Sequence, residues 1–396
     1  MPQDLHAIVS RRIDELADEL LTVSHSIHAN PELAFKEHHA ARTLVAALQA
    51  QGIEARTGVY TLETAIEADL ITQGSGPRVA ILAEYDALPG IGHSCGHNLI
   101  ATSALGATLG LQTVANKLPG NVRFLGTPAE ERGGGKELMA RAGAFKGIDA
   151  AMMIHPAGMN MASMPCICVA EVKVIYHGRS AHASAMPHKG LNALDALLLA
   201  YQAISNLRQH IRSTERIHGI ITEGGLAPNI VPERTVGEFY VRAANAKALA
   251  ALKPRVQACF EAGAMGTGCT VDIQWAGVDY LDLNTNWPLA DRFQAHAEAL
   301  GRTFVPKEQL IGAPSGSTDM GNVSYLVPSI HPMVASAPTN VVIHHPDFAK
   351  WAGSEMGDRA AIDGAKSLAL TALDYLLSPD LQQESTRAFK LSRGLA

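Results

Sequence analysis

One short stretch, Glu84 to Asn98, holds two acids, two histidines and a cysteine. These are the side chains of the sequence best suited to catalysis or metal binding. Cys95 and His97 offer a thiolate and an imidazole two residues apart, a pair that suits zinc or a similar divalent metal. Asp86 is expected to orient a ligand histidine and to raise its basicity. A structural role, with Cys95 packed as a small apolar side chain and His97 capping a helix, fits the same spacing. A metal site therefore needs ligands from elsewhere in the chain.

Three further strand ends are predicted to carry residues of metal-ligand type. They hold the acidic pair Glu130 and Glu131, His155 before a proline, and the pair His344 and His345 before another proline. Two adjacent carboxylates project in different directions, so one can bind a metal while the other moves a proton. A single such cluster is commonly a solvated turn or a structural histidine. Four clusters at strand ends together indicate a metal centre.

The elements around Glu84 to Asn98 explain why these clusters should meet. The run 78–83 is short and apolar and follows a Gly-Ser-Gly-Pro turn, which is typical of a buried strand. The run 99–115 has no charged residue and predicts a buried helix, and its small and polar residues argue against a membrane span. Open α/β sheets bind their ligands at the carboxyl ends of strands, so we expect the active site there.

Composition sets the class of protein. The 396 residues are 47% hydrophobic and 18% charged, which predicts a soluble globular protein of more than one domain. The net charge of −6 argues against a nucleic-acid partner. Five cysteines make no disulfide framework and suit a reducing compartment, so we expect a cytoplasmic protein. The charged N-terminus predicts an amphipathic helix rather than a signal peptide.

The order of predicted elements divides the chain. Strands and helices alternate up to residue 154, the pattern of a mostly parallel sheet. Residues 170–279 instead follow a β-α-β-β-α-β order, which indicates an inserted α+β domain with its own core. Residues 1–169 and 280–396 would then form one α/β domain. The tail, 379–396, is polar and is expected to be partly mobile.

Several motifs resemble those of one enzyme family. They are Tyr85–Pro89, Cys95–Asn98 and Pro128–Gly134 in the α/β domain, with Gly178–Ala183 and Gly225–Pro232 in the inserted domain. The chain resembles the dinuclear zinc metallopeptidases that include aminoacylase and glutamate carboxypeptidase. The match is closest to their amidohydrolase branch of auxin-conjugate, hippurate and aminobenzoyl-glutamate hydrolases. The resemblance implies a zinc-peptidase catalytic domain and an inserted dimerisation or lid domain.

The resemblance implies a metal centre with assigned ligands. Cys95 would bridge two divalent ions, His97 and Glu131 would complete one, and His155 and His344 the other. His344 is preferred to its neighbour because the family's ligand stands two residues before the proline. Zinc suits these ligands best, with manganese or cobalt as alternatives.

The resemblance also implies catalytic and substrate-binding residues. Glu130 would be the general base. His182 would reach from the inserted domain to polarise the scissile carbonyl, in the site of the partner protomer. Asn229 and Arg242 would hold the substrate carboxylate. Ser317 would contact the substrate side chain, within the segment Ser315–Gly321, which resembles that of the β-alanyl-lysine dipeptidase-like subgroup.

The implied function is that of a metal-dependent amidohydrolase or dipeptidase. Its substrate would be a small N-acyl amino acid or dipeptide-like molecule, and the inserted domain would form a homodimer. Neither nucleic acid nor membrane is an expected partner. One alternative is a cysteine amidase with Cys95 as nucleophile and His97 as base. The other is an accessory subunit that keeps the fold without turnover.

Overall fold

The computed structural model of the protein describes residues 2–70, 72, 74–310 and 316–394. The chain divides into two compact units. The larger unit comprises Met1–Pro165 and Leu283–Ala396, and the smaller unit comprises Cys166–Asp282. Each unit has a hydrophobic core of its own. The predicted inserted domain, 170–279, lies within the smaller unit, and its role in dimerisation or closure stays a prediction.

Helices and strands follow one another largely as the sequence indicates. The strands are β1 (Ala55–Thr57), β2 (Ile66–Asp69), β3 (Arg78–Ala83), β4 (Asn121–Gly126), β5 (Ala150–Met152), β6 (His155–Ala157), β7 (Cys168–His177), β8 (Arg216–Glu223), β9 (Arg234–Ala243), β10 (Thr270–Trp275), β11 (Ser329–Ile330) and β12 (Met333–Ala335). The helices are α1 (Pro2–Glu15), α2 (Ala17–Ala29), α3 (His38–Ala50), α4 (His97–Gln112), α5 (Gly135–Arg141), α6 (Ala193–Leu207), α7 (Ala246–Thr267), α8 (Trp287–Ala299), α9 (Met320–Ser324), α10 (Pro346–Ala352), α11 (Glu355–Leu377) and α12 (Pro379–Ser392).

A mostly parallel sheet forms the centre of the larger unit, as predicted. Its strand order is β1-β2-β4-β3-β5-β11. β3 pairs in parallel with β4 and β5, and β11 continues the parallel part, whereas β1 and β2 are antiparallel additions. A short parallel pair of β6 and β12 lies beyond it. The parallel strands bring the ends of β3 and β4, and hence the loops that follow them, to one edge.

Helix α4 is the buried helix expected behind the site. Every residue from His97 to Leu111 is buried, and the helix packs on β3, α2 and α11. Close packing depends on glycine: a Cβ at Gly106 would lie 2.9 Å from the Cβ of Ala365. In the described part of the chain, no helix combines the length and apolar character needed to cross a membrane.

The smaller unit has the predicted β-α-β-β-α-β order. Its sheet is antiparallel, in the order β10-β7-β9-β8, and α6 and α7 pack against it. Its core includes the buried rings of Tyr176, Phe239 and Phe260. Strand β8 lies at the edge of the sheet, and its side chains are mostly exposed.

The expectation of a partly mobile tail is wrong for most of its length. Residues 379–392 form α12, which Ser378 caps through a hydrogen bond from the Leu381 backbone N–H to its hydroxyl oxygen (3.2 Å). Leu381 and Ser385 are buried, and the Asn286 side chain donates to the Ser385 carbonyl at 2.8 Å. The polar composition of the segment conceals an amphipathic helix that docks through one face.

We predict that Leu381→Ala lowers the free energy of unfolding by about 2–3 kcal/mol, because it leaves a cavity under the docked helix. Leu391→Ala, on the same helix but at a side chain 59% exposed, is the matched control. Its expected change is below about 0.5 kcal/mol. Urea unfolding followed by circular dichroism measures both. Equal small changes in the two variants would contradict the docking of α12.

Candidate active site

A left-handed turn at Gly96 brings Cys95 and His97 to the same space. Gly96 has φ 75° and precedes α4, whose first residue is His97. A Cβ at Gly96 would lie 2.6 Å from the Cγ of Pro156, so both the backbone conformation and the available space require glycine. Cys95 and His97 are both buried.

The five predicted metal ligands come together around the sulfur of Cys95. Cys95 forms one candidate metal-binding group with His97 and His155, and a second with Glu131 and His344. The Sγ atom lies 3.4 Å from the Nε2 of His155, and the Nε2 of His344 lies 3.4 Å from a Glu131 carboxylate oxygen. The His97 Nε2 is also 3.7 Å from the other Glu131 oxygen, so the pair of His97 and Glu131 implied by the resemblance lies within reach. The implied pair of His155 and His344 stays a prediction, since the two candidate groups place these histidines apart.

The two consecutive histidines have different surroundings. His344 adopts a left-handed conformation with φ 64°, and its backbone N–H donates to the Ser94 carbonyl at 2.9 Å. This turn directs its ring toward Glu131. His345 instead caps α10, since its Nδ1 accepts the Asp347 backbone N–H at 3.3 Å. The geometry favours His344 as the ligand.

A strained turn after β4 directly precedes the two adjacent acids, Glu130 and Glu131. Ala129 has φ 61°, a conformation that costs a non-glycine residue about 1–2 kcal/mol. Two residues later, the backbone N–H of Glu131 donates a hydrogen bond to the Asp86 carboxylate at 2.9 Å. Burial, and then the charges of Glu84 and Glu131, raise the pKa of Glu130 well above its ordinary value. Glu131 thus faces the ligand histidines, while Glu130 is suited to take up a proton.

Asp86 holds two parts of the site at once. One of its carboxylate oxygens lies 3.0 Å from the Nδ1 of His97, and the other accepts the Glu131 N–H. Holding Nδ1 leaves the His97 Nε2 directed at the cluster, as a metal ligand requires. His155 is fixed in the same way, because its Nδ1 donates to the Pro156 carbonyl at 2.8 Å and its Nε2 faces Cys95.

The cluster has polar atoms that a cation would satisfy. Among the described residues, the His97 Nε2, one Glu84 oxygen and one Glu131 oxygen are buried without a hydrogen-bond partner. The His97 Nε2 lies 3.5 Å from that Glu84 oxygen. Burial raises the pKa of the Cys95 thiol well above its ordinary value, so ionisation of the thiol requires a nearby cation. Thiolate, imidazole and carboxylate ligands together fit zinc or a similar ion.

The site also contains a buried, ion-paired lysine that was not predicted from the sequence. Lys136 is fully buried, and its ammonium group donates to the carboxylates of Glu84 and Asp319. Burial opposes ionisation of Glu84, but the charge on Lys136 brings its pKa below the ordinary value. The lysine that follows the triple glycine therefore carries a buried structural charge. No feature of the sequence marks it as buried.

The segment expected to contact substrate contributes Asp319 to the ion pairs of Lys136. The Asp319 carboxylate lies 2.6 Å from the Lys136 ammonium and accepts the Lys136 backbone N–H at 2.8 Å. Ser317, two residues earlier, is half-buried. Ser315, which begins the segment, lies outside the described residues.

His331 is a second buried residue of the site that was not predicted from the sequence. It is fully buried, and its ring centroid lies 5.2 Å from that of His155. Burial, and then His155, lower the pKa of His331 to about 3, so it is a neutral imidazole. A signal was present: His331 follows a short apolar run and precedes a proline, as His155 does.

In the smaller unit, His182 and Asn229 lie side by side. The Asn229 carbonyl accepts the Ala183 backbone N–H at 3.0 Å. The Nδ1 of His182 accepts backbone N–H groups of Ser184 and Ala185, both at 3.3 Å. These contacts leave the proton of a neutral imidazole on Nε2, where it can be donated to a carbonyl oxygen.

Arg242 lies near the end of strand β9, whereas Asn229 precedes the start of that strand. In the register of β7 with β9, Arg234 is opposite His177 and Arg242 is opposite Val169. At about 3.3 Å per residue, these eight positions span roughly 26 Å. Arg242 donates instead to the Nε2 of His218 at 3.2 Å. One chain therefore does not bring Asn229 and Arg242 to a single substrate carboxylate.

Comparison with known proteins identifies the family. The model of Peptidase family M20/M25/M40 matches residues 80–352. Over 393 residues, the chain is 41% identical to the Xaa-Arg dipeptidase of Mus musculus, covering 96% of this chain and 91% of the mouse protein. It is 31% identical to one of the subunits of p-aminobenzoyl-glutamate hydrolase from Escherichia coli (strain K12) over 295 residues, 69% of this chain and 61% of that protein.

Solved structures show the same fold. The Bacillus subtilis YXEP protein, described as a dinuclear metal-binding peptidase of the M20 family, matches with a TM-score of 0.68 and 22% identity, over 91% of this chain and 99% of that one. The aminobenzoyl-glutamate utilization protein from Klebsiella pneumoniae matches with a TM-score of 0.74 and 18% identity, over 92% of this chain and 98% of that one. These matches confirm the predicted resemblance and the predicted fold class. The chain belongs to peptidase family M20/M25/M40, and it is a metal-dependent hydrolase of amide bonds.

Proposed function

We propose that this enzyme is a dipeptidase that releases a basic C-terminal amino acid. The relatives that are similar over almost the whole chain, from mouse and human, are named Xaa-Arg dipeptidases. The resemblance in the sequence to the β-alanyl-lysine dipeptidase-like subgroup supports the same substrate class. An N-acyl amino acid with a basic leaving residue would present the same amide bond and the same free carboxylate.

We propose that two divalent ions, zinc in the first place, are held by the five residues that meet at the thiol: Cys95, His97, Glu131, His155 and His344. When bound, such ions activate a water molecule and polarise the scissile carbonyl. Asp86 keeps the His97 ring turned toward the centre. Manganese and cobalt remain alternatives because carboxylates belong to the ligand set.

One observation carries the proposed role of Glu130. Of two consecutive acids, Glu131 faces His344, while the pKa of Glu130 is raised by burial and by neighbouring acids. A carboxylate with raised proton affinity is an effective general base. Glu130 would take the proton of the attacking water and return it to the leaving amine. A nucleophilic Cys95 has no comparable support, since burial keeps its thiol protonated and two of the three candidate ligand groups among the described residues include its sulfur.

We propose that the smaller unit supplies substrate contacts and the contact surface of a homodimer. In the site of the partner protomer, His182 would donate a hydrogen bond from its Nε2–H to the substrate carbonyl oxygen and to the oxyanion that forms from it. Asn229, next to it, would hold the substrate carboxylate, and Ser317 of the larger unit would contact the side chain. The exposed Ile220 of edge strand β8 and the nearby Leu226, 90% exposed, are apolar surface that a second copy could cover.

The smaller unit's Arg242 would serve a carboxylate only if a second copy brought it there. We also propose a cytoplasmic location, which suits the five free thiols of the chain. Size measurements by light scattering give the oligomeric state directly.

We predict that Glu130→Gln lowers kcat by at least about 10³-fold, because the amide cannot accept the proton of the attacking water. Metal content, measured by elemental analysis, should not change, since Glu131 is unaltered. Glu63→Gln, the same substitution at a side chain 81% exposed, is the control and should leave kcat within about twofold. Retained turnover in Glu130→Gln would refute the assignment of the base.

A substrate panel tests the specificity. The metal-loaded protein is assayed with Xaa-Arg, Xaa-Lys, Xaa-Glu and Xaa-Leu dipeptides, p-aminobenzoyl-glutamate and N-acetyl-arginine, with and without chelator. We expect chelator-sensitive release of arginine and lysine, with kcat/KM at least about tenfold above that for the acidic and apolar dipeptides. Preference for glutamate would contradict the basic specificity. No turnover with metal bound would favour the accessory-subunit alternative.

A further inference from the structure

Two strained backbone positions from distant parts of the chain meet at one carboxylate oxygen. Phe35 and Ala129 both have positive φ, 63° and 61°, which non-glycine residues rarely adopt. The backbone N–H groups of both donate to the same oxygen of Glu37, each at 2.9 Å. Glu37 is fully buried. One acceptor therefore links the loop before α3 to the turn after β4.

The second oxygen of Glu37 is also engaged. It accepts the Thr64 hydroxyl at 2.7 Å, and the Thr64 carbonyl in turn accepts the Tyr85 hydroxyl at 2.6 Å. Tyr85 stands between Glu84 and Asp86 at the end of β3. The carboxylate thus lies beneath the loops that follow both β3 and β4, with three donors directed at it.

The turn at Ala129 determines where the next two side chains point. The Ala129 carbonyl accepts the backbone N–H groups of Gly134 and Gly135 at 3.1 and 3.3 Å, which closes the loop that contains both acids. With a negative φ at Ala129, the chain would leave β4 in another direction. Glu130 and Glu131 would then leave the cluster together.

Packing also holds the loop from the Phe35 side. A Cβ on Gly133 would lie 2.5 Å from the Phe35 ring, so ring and loop are in close contact. A strained conformation persists only where its surroundings over-determine it, and such conformations concentrate at functional sites. Here the shared hydrogen-bond acceptor and the ring contact provide that constraint.

We propose that Glu37 is a positioning residue of the active site. Its carboxylate oxygen holds Ala129 in the left-handed conformation that directs Glu130 and Glu131 into the metal cluster. Glu37 touches neither substrate nor any of the five proposed metal ligands, and it acts through the backbone. This inference rests on the proposed function, because Glu37 is assigned the role of orienting Glu130, the proposed base, and Glu131, a proposed metal ligand.

Substitutions of matched size separate this role from a general structural one. In Glu37→Gln the remaining oxygen can still accept both N–H groups, so kcat should stay within about threefold. Glu37→Asp keeps the charge but shortens the side chain by one methylene, which withdraws the acceptor from Ala129. We expect Glu37→Asp to lower kcat about 10²-fold, the effect of misplacing a catalytic group by about 1 Å, with KM changed less than about threefold. Titration calorimetry should show weaker metal binding in Glu37→Asp only.

Glu32 supplies a control in the same loop. Its carboxylate accepts the backbone N–H groups of His39 and Ala40 at 2.8 and 3.0 Å and so caps α3. Glu32→Ala should lower the melting temperature through loss of the cap. It should leave kcat within about twofold. A loss of kcat that merely follows stability would appear in Glu32→Ala as strongly as in Glu37→Asp.

A glycine background tests the strain itself. Glycine adopts positive φ without penalty, so Ala129→Gly removes the need for a restraint. The loss caused by Glu37→Asp should fall from about 10²-fold with alanine at position 129 to about tenfold with glycine there. Full kcat in Glu37→Asp, or the same loss in both backgrounds, would overturn the inference. An inactive Glu130→Gln beside an active Glu37→Asp would refute this inference alone, whereas an active Glu130→Gln would refute the proposed base.

Discussion

Burial of acids and a thiol at one sheet edge is the constraint on which the larger unit depends. Glu84, Glu130 and Cys95 are buried together, where each loses hydration and the acids repel one another. Lys136 compensates part of this charge through its ion pairs with Glu84 and Asp319. The remaining polar atoms face one another around the Cys95 sulfur. Bound cations would complete the compensation, which couples metal binding to the stability of this part of the fold.

The backbone contributes to the placement of these side chains, in addition to the contacts of Asp86 and Lys136. Three left-handed residues do much of this work: Gly96 before α4, Ala129 after β4 and His344 before α10. Each redirects the chain at the point where a ligand or the proposed base begins. Only one of the three is glycine, and the other two are restrained by hydrogen bonds, from Ala129 to Glu37 and from His344 to Ser94.

The sequence predicted the parts of the site that follow from periodicity and topology. The strand before Glu84 and the helix after Cys95 are short apolar segments between clear breaks, and carboxyl ends of parallel strands meet at one edge. The location of the cluster was therefore predictable. The docking of α12 was not, because a helix buried through one face has the composition of a mobile tail.

Single buried residues were harder to predict. Lys136 follows a glycine run that resembles an exposed loop, and its burial depends on two partners, Glu84 and Asp319, far from it in sequence. His331 shared the strand, histidine and proline pattern of His155, yet the strand before it, β11, is only two residues long. The role of Arg242 stays a prediction: the resemblance implied a carboxylate site shared with Asn229, but strand register separates the two within one chain, so they would meet only across two copies.

The most direct test of the metal centre is a cobalt(II) titration of the metal-free protein and of its Cys95→Ser variant. Cobalt bound to a thiolate gives a near-ultraviolet charge-transfer band, which reports Cys95 as a ligand. We expect two cobalt ions per chain, a band that grows as both sites fill, and in Cys95→Ser the loss of the band with at least about tenfold weaker binding at both sites. Two sites of unchanged affinity in the variant would contradict a centre built on the Cys95 sulfur.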